Sequence, residues 1–295
     1  MRLVRFAADS DTADLGVHRS ESDVVVDLDT VGDELDIGLP ASMPELLAEP
    51  CWREKLDILV THAAETGIGE RDAETVELLA PIEAPGKIIC VGLNYIEHVE
   101  EGGQERPENP ILFSKFTNAI NDPDSAIEWD PGLTDEVDYE AELALVVGDR
   151  ARRVDPAAAT DHLAGYTVAN DVSARDLQFA DDQWVRGKSL DGFCPLGPAI
   201  VTDDELDDPE ACSIWAELNG ERLQDSVTSN LIFDIDTLVS FCSDAFTLEP
   251  GDVILTGTPP GVGAFREPPI YLDDGDTIEV GIEGIGSLTN HCRHD

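Results

Sequence analysis

Two acidic residues, two positions apart within an apolar run, are the first sign of chemistry in this chain. In Tyr139-Glu140-Ala141-Glu142-Leu143-Ala144-Leu145-Val146-Val147 the residue types are those of a β-strand. Side chains two apart then share a face, so Glu140 and Glu142 are neighbours about 7 Å apart. The other face, Tyr139, Ala141, Leu143, Leu145 and Val147, is apolar, and Ala144 and Val146 continue the carboxylate face without charge. Such a strand is covered on both sides. Two carboxylates there repel and lose hydration unless a cation or added protons compensate. A divalent metal does this directly, although two solvated glutamates at a sheet edge give the same spacing. A second apolar run, 164–169, delivers Asp171 to a strand end, where it is a third candidate ligand. Three carboxylates without a nearby histidine or thiolate specify a hard cation, Mg²⁺, Mn²⁺ or Ca²⁺ rather than Zn²⁺. Asp138 shares the parity of the glutamates and reads either as an outer acceptor or as a plain strand-end residue.

Groups suited to proton transfer and anion binding lie on either side. His98 and Glu101, three apart in a short helical segment, share a helix face. A carboxylate on one imidazole nitrogen orients the ring and makes the other nitrogen a general base. A solvated His–Glu helix pair has the same spacing. After Asp171, a helical turn would align Arg175, a bidentate fork for a carboxylate, with Gln178. Lys188 stands out because the chain has only four lysines, Lys55, Lys87, Lys115 and Lys188. Thr258 lies in the Gly/Pro loop Thr256-Gly257-Thr258-Pro259-Pro260-Gly261, which can offer N–H groups and a hydroxyl to an anion but lacks the spacing of a nucleotide-binding loop.

The elements that carry these residues are mostly strands. From residue 87 onward short apolar runs alternate with Gly, Pro and Asp turns, and Asn219-Gly220 is a hairpin signal. Residues 1–80 read as a small separate α/β unit, with strands at 3–7 and 24–27 and helical periodicity from Met43 to Ala64. His18 and His62 in this unit read as surface or packing residues. The Pro/Gly-rich stretch 81–86 is the expected linker. His291 and His294 are expected in a mobile tail.

Composition excludes several classes. The formal charge of −45 comes from 63 Asp+Glu against 18 Lys+Arg, which disfavours nucleic acid and anionic lipid as partners. With 42% hydrophobic residues the chain is expected to fold, and so large a charge with so little lysine points to adaptation to high salt. Scattered cysteines without a CxxC pair suggest a reduced compartment. No run reaches the roughly 18 apolar residues of a membrane span and the N-terminus lacks a signal-like core, so a soluble, cytoplasmic protein is expected.

Taken in order, the segments 87–101, 110–116, 138–148, 165–178, 187–202, 218–226 and 248–263 resemble the fumarylacetoacetate hydrolase family, and together they span essentially all of 86–295. The resemblance implies an α+β, mainly β catalytic domain of the family's mixed roll or sandwich type over 87–295, usually homodimeric. It implies Mg²⁺ or Mn²⁺, with Ca²⁺ as a substitute, on Glu140, Glu142 and Asp171. It further implies a His98–Glu101 dyad on a lid, Lys188 beside the substrate, and Arg175, Gln178 and Thr258 on its oxygens. Phe116 stands where relatives often have proline, and the 178–188 connection is short, so the pocket's shape is this chain's own. The leading expectation is hydrolysis of a C–C bond in an acylpyruvate-type 2-oxo acid through a metal-stabilised enolate. The same enolate permits isomerisation of 2-hydroxy-dienedioates, decarboxylation of oxaloacetate or dehydration of 2-keto-3-deoxy sugar acids. A non-catalytic acidic metal-binding protein would need the carboxylates but not His98, Lys188 or Arg175.

Overall fold

The computed structural model describes residues 1–8 and 13–295. Its centre is the strand Ala141–Val147, buried at all seven positions. It pairs antiparallel with Leu163–Asn170 on one side, Ala141 opposite Asn170 and Glu142 opposite Ala169, and with Val253–Leu255 on the other. Strands buried on both faces read as near-continuous apolar runs, which is why these segments lack a polar face. Ile88–Gly92 lies parallel to Val253–Leu255, and Ile111–Lys115 closes that edge. Beyond Leu163–Asn170 the sheet passes to Cys194–Val201.

The N-terminal segment extends this same sheet. Arg2–Ala7 pairs with Cys194–Val201, Leu3 opposite Ile200, and is followed outward by Asp14–Arg19, Val24–Asp27 and Glu70–Asp72 in a sheet of twelve strands. One apolar core joins Leu3, Leu46 and Leu56 to Ala144, Ala164 and Leu196. The periodicity expected over Met43 to Ala64 is divided between two helices, Met43–Leu47 and Trp52–Thr66. Between them Pro50 has no N–H to continue the first helix, and Cys51 turns to φ 59°.

A second, five-stranded sheet runs in the order Glu221–Val227, Ser213–Leu218, Thr277–Ile282, Gly286–His294 and Ala126–Trp129. Its hairpin turns at Asn219 and Gly220 with φ 53° and 80°, the left-handed pair that a two-residue turn requires. Leu143 and Leu145 face this sheet and share a core with Ile214, Val280 and Leu288. His291 and His294 do not form a tail: they lie in Gly286–His294, which pairs with a strand on each side. The period-two burial of Leu288, Asn290 and Cys292 anchors it, a pattern masked by the polar residues between them.

Candidate metal centre and active site

Strand register assembles the three carboxylates. The Asp171 N–H donates to the Glu140 carbonyl at 2.9 Å, so the end of one strand lies against the start of its neighbour. Asn170 Oδ1 accepts the Glu140 N–H at 3.0 Å. Glu140, Glu142 and Asp171 can each offer an oxygen within 4.8 Å of the others, and all three are buried. Glu140, immediately before the strand Ala141–Val147, and Glu142 within it belong to one cluster, which Asp171 joins from just past the end of Leu163–Asn170.

Cations surround the cluster unevenly. Lys188 Nζ donates to Glu140 Oε2 and Asp171 Oδ2, both at 2.8 Å. Lys115 Nζ donates to Asp171 Oδ1 at 2.5 Å and to the Val172 carbonyl at 3.0 Å. Arg175 pairs with Glu140 Oε1 at 2.7 Å, with Asp138 Oδ2 at 2.8 Å through Nε, and donates to Gln178 Oε1 at 3.0 Å. Burial opposes ionisation of Glu140, but Lys188, Arg175 and His98 prevail and hold its pKa at about 2. Glu142 behaves oppositely. Burial, then the charges of Asp171 and Glu140, push its carboxyl well above the usual range, and its hydrogen-bond donor is the neutral Gly257 N–H at 2.7 Å. Burial works against the Lys188 ammonium, yet Asp171 and Glu140 hold its pKa above the ordinary value. The donor set is all oxygen, and one buried carboxylate lacks a cation, so the residues present fit a hard divalent ion.

The dyad and the loop close over this cluster. His98 Nδ1 meets Glu101 Oε1 at 2.8 Å on the helix Ile96–Glu101. Glu101 also accepts the Gly261 N–H at 2.9 and 3.1 Å, and the Phe265 ring lies 5.7 Å from the imidazole. If Nδ1 carries the proton given to Glu101, Nε2 is left as a base without a protein partner among the described residues. A cavity of about 230 Å³ is lined by His98, Glu140, Glu142, Gln178, Lys188 and Thr258, with Phe113, Trp184 and Phe265 among its apolar walls.

All nine residues singled out from the sequence converge here: eight, His98 among them, line the cavity or its carboxylate cluster, and the ninth, Glu101, holds His98 from behind. Arg175 lines the cavity, but its guanidinium is taken up by Asp138, Glu140 and Gln178. Three further residues take part: Asp138, weighed from the sequence as an outer acceptor or a plain strand-end residue, and Lys115 and Gln224, which were given no role. Asp138 is a fully buried acceptor for Arg175 and for the Gly263 and Ala264 N–H groups; its shared parity with Glu140 was the available signal. Lys115 belongs to the cluster, and the scarcity of lysine that drew attention to Lys188 applied equally to it. Gln224 bonds the Ala141 N–H, Thr258 Oγ1 and the Pro259 carbonyl, and no spacing pointed to it.

Comparison with known proteins identifies the family. The family model described as fumarylacetoacetate (FAA) hydrolase C-terminal matches residues 87–293. Over 293 residues the chain is 41% identical to a Xenopus laevis protein named oxaloacetate tautomerase fahd2, mitochondrial, covering 98% of this chain and 89% of the relative. Among solved structures, a fumarylacetoacetate hydrolase from psychrophilic Exiguobacterium antarcticum superposes with a TM-score of 0.83 at 38% identity, covering 100% of both chains. A maleylpyruvate hydrolase from Sphingobium sp. SYK-6, in complex with manganese (II) ion and pyruvate, superposes at 0.78 with 29% identity, covering 100% of this chain and 99% of that one. No helix among the described residues is long and apolar enough to cross a membrane. The sevenfold motif order, the mixed sheet fold and the match over 87–293 place the chain in the fumarylacetoacetate hydrolase family.

Proposed function

We propose that this chain is a metal-dependent enzyme that interconverts the keto and enol forms of a short 2-oxo dicarboxylate of the oxaloacetate kind. The observation that carries the reading is the geometry of one base and a set of donors around a small cavity: His98 Nδ1 is held by Glu101 and Nε2 has no protein partner among the described residues, within a space of about 230 Å³. Likeness to an oxaloacetate tautomerase over nearly the whole chain supports the choice of substrate class. Mg²⁺ or Mn²⁺ held by Glu140, Glu142 and Asp171 would supply a Lewis acid that polarises the 2-oxo group.

The chain's own residues then move the proton. His98 Nε2 takes it from the carbon beside the carbonyl, and the imidazolium is stabilised by Glu101. Lys188 gives two N–H groups to Glu140 and Asp171; the third can donate to the developing enolate oxygen. Returning the proton to oxygen yields the enol, and the reverse sequence yields the keto acid. Gln178 and Thr258 hold a carboxylate, while Arg175 acts through Glu140 and Gln178. Dissolving the enol form of oxaloacetic acid and following its ultraviolet absorbance tests the reading. Decay to the keto–enol equilibrium should accelerate with the protein, and an unchanged rate refutes it.

Hydrolysis of an acylpyruvate remains a second reading, because the same His98–Glu101 pair could activate water and a maleylpyruvate hydrolase shares the fold. Reaction of acylpyruvates in ¹⁸O-water separates the two. Label in a released carboxylic acid supports hydrolysis; unreacted acylpyruvate alongside fast enol decay supports tautomerisation.

A further inference from the structure

Gln224 lies on the strand Glu221–Val227 of the second sheet and is completely buried, yet its side chain reaches the centre described above. Its Oε1 accepts the Ala141 N–H at 2.9 Å, between the two glutamates, and its Nε2 donates to the Pro259 carbonyl and to Thr258 Oγ1, both at 2.8 Å. A backbone N–H can only donate and a backbone carbonyl can only accept, so these partners fix which end of the amide is oxygen and which is nitrogen. Thr258 Oγ1 therefore accepts from Gln224, and its own proton must point elsewhere. The same logic applies to Gln178. Its Oε1 accepts from Arg175 Nη1 at 3.0 Å, leaving its NH₂ group for another partner. Thr258 and Gln178 both line the cavity. Each has an acceptor already occupied by a buried donor, so the donor is what it offers to a ligand.

We infer that Gln224 is a positioning residue that sets Thr258 as a hydrogen-bond donor, so that with Gln178 it forms a neutral receptor selective for a ligand presenting acceptor oxygens, a carboxylate rather than an amide. The inference rests on the reading of the cavity as a 2-oxo acid site. A receptor of neutral donors also suits this location, because no further charge is added beside Glu140, Glu142 and Asp171. Without Gln224 the Thr258 hydroxyl can rotate to accept as well as donate, and an amide NH₂ is no longer mismatched.

Oxalate and its monoamide oxamate differ by one acceptor oxygen replaced with NH₂, and both can be titrated by calorimetry into the full chain with Mg²⁺ present. The wild-type protein should prefer oxalate. Thr258→Val keeps the shape and removes the donor, and should lower the oxalate-to-oxamate preference by about tenfold, one hydrogen bond to a charged acceptor. Gln224→Met should lower it by a similar factor, and the double variant no further. The comparison is of a ratio across variants, so the charge difference between the ligands cancels. A residue that only supports the fold would weaken both ligands alike and leave the ratio unchanged, which overturns the inference; so do losses that simply add in the double variant. Gln224→Asn, which withdraws the amide by one methylene, carries the same test if Gln224→Met does not fold. An unchanged ratio in Thr258→Val is decisive against it in any case. Failure of oxalate to bind the wild-type protein with Mg²⁺ instead removes the 2-oxo acid reading, and the inference with it.

Discussion

Charge is handled in opposite ways at the surface of this molecule and at its centre. The chain as a whole has 63 acidic residues against 18 Lys+Arg, and at the surface pairs such as Arg222 with Glu217 leave the arginine side chain 43% exposed. Inside, Asp138, Glu140 and Asp171 are matched by Arg175, Lys188 and Lys115, whose side chains are exposed by 3% or less. Glu142 alone in that group is left over. Scarce lysine is concentrated where a buried acid needs it, since two of the four lysines lie in this cluster. The difference teaches that net charge says little about the site: water and salt balance the outer acids, whereas each inner one needs a named partner, and the unmatched one is where the proposed metal would supply the missing charge.

The largest effects should follow from disturbing the inner balance. Chelation should abolish turnover, with recovery on adding Mg²⁺ or Mn²⁺. His98→Ala should lower turnover by roughly 10² to 10⁴-fold, as for loss of a general base, while ligand binding measured by calorimetry survives; Glu101→Gln should act in the same direction more mildly. Lys188→Ala leaves Glu140 and Asp171 short of a cation and should cost about 3–5 kcal/mol in metal-free denaturant unfolding. Glu142→Gln should show the reverse sign, weakening metal affinity without lowering the metal-free melting temperature, because the carboxylate it removes has no cationic partner. Equal destabilisation by Lys188→Ala and Glu142→Gln would break the comparison.

Effects at the outer face should be smaller and should depend on salt. Lowering ionic strength from 1 M to 0.1 M lengthens the screening distance from about 3 Å to about 10 Å, so the melting temperature should fall as acid repels acid. The penalty for Lys188→Ala should stay nearly constant over that range, since its partners are out of water. Arg222→Ala should cost less than about 1 kcal/mol, as for other exposed pairs, a value that denaturant titration can check. A melting temperature indifferent to salt would remove the case for salt adaptation.

Most of the site was legible because its residues lie in local patterns. Parity along one strand placed Glu140 with Glu142, and three-residue helical spacing paired His98 with Glu101. Asp171 was visible only as a carboxylate at the end of an apolar run; the backbone bond from its N–H to the Glu140 carbonyl is a pairing between strands that a single segment does not reveal. Gln224 was illegible for the same reason, because its three partners come from two other segments and two of them are backbone atoms. At the level of the fold, the pairing of Leu3 with Ile200 joins residues nearly two hundred positions apart, and nothing in either segment's composition announces it. The C-terminal strand was missed because its buried positions include Asn290 and Cys292, which do not read as an apolar face.

The central claim, that Glu140, Glu142 and Asp171 hold a divalent ion on which keto–enol interconversion depends, meets its most direct test in the decay of enol oxaloacetic acid with one protein sample in three states. As prepared with Mg²⁺, the wild-type chain should accelerate decay. After rigorous removal of metal, with folding verified by circular dichroism, the acceleration should vanish, and it should return on readdition of Mg²⁺ or Mn²⁺ to the wild type but much less to Glu142→Gln at the same ion concentration. Undiminished acceleration by the folded, metal-free chain would contradict the account.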